Sequence, residues 1–245
     1  MDKFIKYEEV GDYCTYRPTT RIEYSILKQL NYNSCAWEKK DIETVMETYN
    51  NAKKPSEKQV EILNFIVAKE REIFKSIFPF YEMVILPIYR DLIDTEEDEI
   101  ARNERELNKI LGINRIEIPA RENSKSLCFS IQFDFSYDEE HGLYFMFNET
   151  EIIGFFGIGD LDYRVIDIRE NGLRNNDNKP LGVSFATIND KEIFRGEFYF
   201  DEEIKVQLKK GFISITLSCN HQSSTTLIVN LKNDVNNFTL EEILK

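Results

Sequence analysis

The stretch Leu127-Cys128-Phe129-Ser130-Ile131-Gln132-Phe133-Asp134-Phe135 alternates large apolar residues with small or polar ones. A period of two belongs to a β-strand, whose successive side chains point to opposite faces. The spacing places Leu127, Phe129, Ile131, Phe133 and Phe135 on one face, enough to build one side of a core. Working outward, Tyr137-Asp138-Glu139-Glu140-His141-Gly142 is rich in turn formers. Leu143 to Phe147 returns as a second strand. Asn148-Glu149-Thr150 turns again, and Glu151 to Ile158 reads as a third. The three make an antiparallel meander.

Upstream, Ile113 to Ile118 reads as a strand closed by Pro119, and Gly112 suits the cap of a short helical turn through Leu107, Ile110 and Leu111. Asp91 to Glu106 holds eight acidic residues against two arginines, the pattern of a solvated face or loop. Ser56 is a good N-cap, and Gln59 three residues later completes a capping box. Apolar residues at helical spacing then predict a helix over Glu57 to Phe78, ended or kinked by Pro79. Arg21 to Leu27 has strand composition. Ile42 to Tyr49 fits either a strand or a short helix.

Beyond Asp162 the composition stays β. Tyr163 to Arg169, Leu181 to Thr187, Ile193 to Phe200, Ile204 to Leu208, Phe212 to Cys219 and Thr225 to Leu231 are strand-like, with a terminal helical turn at Leu240 to Leu244. The expected fold is α+β. N-terminal helices pack on a mostly antiparallel sheet in residues 1–163, and an all-β, sandwich-like module follows in residues 164–245.

Charge divides the chain at the same place. The 245 residues carry 31 Lys+Arg and 44 Asp+Glu, a net charge of −13. Residues 1–163 contribute −12 of it and residues 164–245 only −1. An acidic chain lacks the basic face that nucleic acid or anionic lipid requires. No stretch approaches the roughly 18 apolar residues of a membrane span, and the first residues do not read as a secretory signal. The four cysteines are scattered, without a C-x-x-C pair. Reduced thiols and a cytoplasmic location are therefore expected.

Pro55-Ser56-Glu57-Lys58-Gln59, the aromatic end Phe78 to Tyr81, the strand Ile113 to Ile118, the hairpin Asp138-Glu139-Glu140-His141-Gly142, then Glu151-Ile152-Ile153 and Gly157 occur in one order. In these residues the chain resembles an uncharacterised family of bacterial cytoplasmic domains of unknown function. The likeness covers about residues 40–162. It departs in Tyr137, where the family often has Trp, in the helix interrupted by Pro79, and in the acidity of the linker. The resemblance implies no established activity, although some family members stand in settings suggestive of toxin–immunity systems.

Asp138, Glu139, Glu140 and His141 are the one cluster in which carboxylates meet an imidazole. They fit a solvated turn, with Gly142 supplying a backbone conformation closed to other residues. They also fit a general base or a divalent-cation loop. Zinc is not expected, since His141 and His221 are the only histidines and no paired cysteines accompany them. Gly154 to Gly159 lacks the spacing of a dinucleotide loop, and no phosphate-loop or G-x-S-x-G motif occurs. No cofactor is expected. Between Lys125 and Arg164 there is no Lys or Arg. The eight acids of that span, Asp134, Asp138, Glu139, Glu140, Glu149, Glu151, Asp160 and Asp162, with Tyr137 and Tyr144 as aromatics expected at the surface nearby, would attract a basic protein. The binding candidates are Tyr137, Asp138, Glu139, Glu140, His141, Glu149 and Glu151. The leading expectation is a non-enzymatic interaction protein, an immunity-type neutraliser of a basic effector. The alternatives are a metal-assisted hydrolase centred on Asp138, Glu140 and His141, or a ligand-binding β module.

Overall fold

The computed structural model describes residues 3–10, 13–32, 41–49, 52–90, 93, 99–121, 124–140 and 142–156, and the backbone of four further strands between 192 and 230. The chain divides into two compact units, residues 1–152 and 153–245. The expected boundary at 163 and the strands expected over 163–187 lie outside the described residues, as does the terminal helical turn.

The first unit is built on strands β1 (Phe4–Val10), β2 (Tyr13–Pro18), β3 (Glu43–Tyr49), β4 (Leu111–Ile118), β5 (Cys128–Phe135) and β6 (Leu143–Asn148), and β7 (Glu151–Phe156) runs across its boundary; the seven neighbour one another in chain order. Of the pairs with a described register, β3 with β4 is parallel and the others are antiparallel. A parallel pair needs a crossover. Helices α1 (Glu57–Ala68) and α2 (Glu70–Phe80) supply it, so β3, the helices and β4 form a βαβ unit.

The capping box forms as expected. Ser56 Oγ accepts from Gln59 N, and Gln59 Oε1 accepts from Ser56 N. Gln59 does more, because its Nε2 donates to the carbonyls of Glu47 at 2.6 Å, Ile118 at 3.1 Å and Pro119 at 3.3 Å. One buried amide thus ties the helix start to the ends of β3 and β4.

The expected single helix breaks at Lys69, and Pro79 does not end α2. Pro79 lies inside it, and the chain continues as a π-helical turn, Tyr81–Ile85, then a helical turn, Leu86–Tyr89. Proline has no N–H to give, so the ladder changes register rather than stopping. Leu86 N bonds to Tyr81 O, five residues back. The wider turn keeps Tyr81, Val84 and Ile85 buried.

The apolar face of β5 meets these helices. Phe80 packs edge-on against Phe145 at 5.1 Å, Phe133 lies 4.9 Å from Phe145, and Tyr89 meets Phe135 edge-on at 4.9 Å. Phe129 and Phe147 stack across β5 and β6 at 5.0 Å. The other side of β5 is enclosed too, since Cys128, Ser130 and Asp134 are also buried.

Two local expectations need correction, and a third, left open between strand and helix, is settled. Arg21 to Leu27 is not a strand but irregular backbone leading into a 3-10 turn, Leu27–Gln29. Glu70 holds it there, its carboxylate accepting from Ile26 N at 2.5 Å, Leu27 N at 2.7 Å and Ser25 Oγ at 3.1 Å. Gly112 does not cap a helix. The preceding turn is 3-10, Glu104–Lys109, and β4 already starts at Leu111. Gly112 lies where the backbone of Tyr32 crosses, and a Cβ would sit 1.7 Å from Tyr32 O. Ile42 to Tyr49 resolves as strand β3.

In the second unit, β8 (Glu192–Glu197), β9 (Glu202–Lys209), β10 (Phe212–Cys219) and β11 (Ser223–Asn230) form an antiparallel meander. Among the described residues, no helix is long and apolar enough to cross a membrane.

Candidate functional site

The β5–β6 turn is set by its own backbone. Asp138 N bonds to Phe135 O at 3.1 Å, and Gly142 N closes the loop on Asp138 O at 2.8 Å. Gly142 has φ 61°, the left-handed region that glycine enters without a Cβ penalty. Ser136 N anchors the turn to Ile110 O at 3.0 Å.

Tyr137 is half-buried and serves this anchoring. Its hydroxyl donates to Glu99 O at 2.7 Å and lies 2.9 Å from the Tyr81 hydroxyl. Burial pushes the Tyr81 phenol up. Tyr137 therefore ties the hairpin to the π turn rather than standing as a docking aromatic. Tyr144, expected near the surface, is buried as well.

Asp138 is half-buried, while Glu139 and Glu140 are exposed at the tip. Glu139 accepts a hydrogen bond from the Tyr32 hydroxyl. Burial, and then the charge of Asp138, raise the Tyr89 phenol. His141 lies outside the described residues, as does His221.

Glu149 and Glu151 are not part of this tip. They flank the β6–β7 turn at the opposite end of β6. Six residues of strand put about 20 Å between the two turns. Glu149 takes φ 56°, and its N–H bonds to Leu127 O at 3.0 Å. The acids expected to share one surface thus occupy two ends of a sheet. Asp134, the acid on the strand itself, is buried.

Sequence reasoning missed the cleft beside the hairpin. It has a volume of about 280 Å³ and is lined by residues 21–24, 28, 30–32, 41–42, 113–114 and Asp134. The Glu70 clamp holds residues 25–27, which lie in sequence between lining residues 24 and 28. Strand β4 supplies the floor at a β-bulge between Ile113 and Arg115. There Asn114 Nδ2 donates to Asp134 Oδ1 at 2.5 Å. Arg21 and Asp41 form an ion pair at the exposed rim. Tyr32 both lines the cleft and holds Glu139, so cleft and hairpin tip adjoin. The legible signal was Asp134, a carboxylate within an otherwise core-forming strand.

A second charged constellation crosses β2, β3, β4 and β6. Glu43 pairs with Arg17 and, at 2.8 Å, with Arg115. Arg115 reaches Glu117 at 3.4 Å, and the Tyr144 hydroxyl lies 3.5 Å from the same oxygen. The Arg17 guanidinium sits 3.1 Å above the Tyr7 ring. Burial is the largest influence on Glu117 and raises its carboxyl above the ordinary range, against the pull of Arg115. Burial, then the Glu117 charge, push the Tyr144 phenol up. Two arginines and two glutamates lace the strands together.

Among the described residues, no three His, Cys, Asp or Glu gather as a metal ion would require. Cys14 and Cys128 are buried, and the Cys14 thiol lies 3.0 Å from the Thr48 hydroxyl.

A helix-and-sheet unit with a βαβ crossover, and an acidic hairpin tip beside a polar cleft, define an α+β domain. The chain belongs to the DUF6985 family, described as a domain of unknown function, whose model matches residues 19–162. No curated protein and no solved structure matches the chain.

Proposed function

We propose that this protein is a non-enzymatic, cytoplasmic interaction protein that captures a basic protein partner, an immunity-type neutraliser of a basic effector. The observation that carries the reading is the hairpin tip. Glu139 and Glu140 are exposed there, within a span from Ser126 to Tyr163 that contains no Lys or Arg. Uncompensated carboxylates on a rigidly anchored turn speed association with a cationic surface and fix its orientation. Glu149 and Glu151 add to the long-range field from the far end of the sheet. The sandwich-like module proposed for the second unit rests on its strand composition, its described strands forming one antiparallel meander, and it has no role of its own in this reading.

The test is affinity capture at low ionic strength. The double variant Glu139→Lys/Glu140→Lys should slow partner association about tenfold or more, with the difference shrinking as salt rises. His141→Ala should capture the partner like the wild type. A hydrolase centred on Asp138, Glu140 and His141 would show the reverse ranking. Equal capture by the charge-reversed and wild-type proteins would refute the proposal.

A further inference from the structure

We draw no further inference here: the strongest candidate, the edge of the sheet at β1, where Ile5 and Tyr7 are exposed and β2 is the one neighbouring strand among the described residues, carries nothing, because nothing in the structure shows what covers it.

Discussion

Gln59 shows how much one side chain can hold. Its amide closes the capping box and reaches three main-chain carbonyls at the ends of β3 and β4. Gln59→Ala leaves those acceptors without a donor in a buried place and removes one side of the box. About 2–3 kcal/mol of stability should be lost in urea unfolding. A loss below about 0.5 kcal/mol would show that the contacts do not hold the crossover. Gly112 makes a steric counterpart. Gly112→Ala places a methyl 1.7 Å from Tyr32 O, and backbone must move to admit it. About 3 kcal/mol of destabilisation is expected, with the 30–32 segment freed from β4 in hydrogen exchange. The cap at Ser56 and the turn glycine Gly142 were legible in the sequence because their chemistry is local. The reasons for Gln59's burial and for Gly112 were not, since their partners lie far away along the chain.

At the scale of elements, the alternation from Phe129 to Phe135 was legible and its apolar face meets the helices. Nothing in the alternation says whether the opposite face is covered, and in β5 it is. That is why Asp134 and Tyr144 moved from an expected surface to the interior. Pro79 marks an interruption, as expected, but its form was not legible: α2 gives way at Phe80 to a π turn held by packing on both sides. Arg21 to Leu27 has strand composition but is held irregular by Glu70, a contact between residues more than forty apart. The charged lacing across β2, β3, β4 and β6 has a consequence for pH. Burial holds the Glu117 carboxyl above its ordinary 4.5, so the unfolded chain releases that proton more readily than the folded one. The stability this supplies is complete below about pH 4.5 and is lost as pH rises through the raised value. Glu117→Gln removes the titration. The stability of the variant relative to wild type should therefore increase from acid toward neutral pH, as read from urea midpoints. A pH-independent difference between the two would contradict the assignment. Tyr24 acts at the alkaline side. Burial raises its phenol to about 12, so stability from this group falls as pH rises from about 10 through 12. Tyr24→Phe should flatten that fall.

At the scale of the molecule, the described acids of the 126–163 span are separated by the fold rather than gathered on one sheet face. The −13 total and its concentration in residues 1–163 were read directly from the sequence. The separation of Glu139 and Glu140 from Glu149 and Glu151 was not, because it depends on the length and direction of β6. The proposed capture therefore rests on one end of the sheet, where the exposed Glu139 and Glu140 stand. The most direct test is the association rate of the captured partner as a function of ionic strength, for wild type and for Glu139→Lys/Glu140→Lys. The wild-type rate should fall steeply between about 10 mM and 150 mM salt, as the screening length shrinks from roughly 30 to 8 Å, while the variant starts slower and changes little. Rates that coincide at every salt concentration, or a partner without a basic surface, would contradict the account.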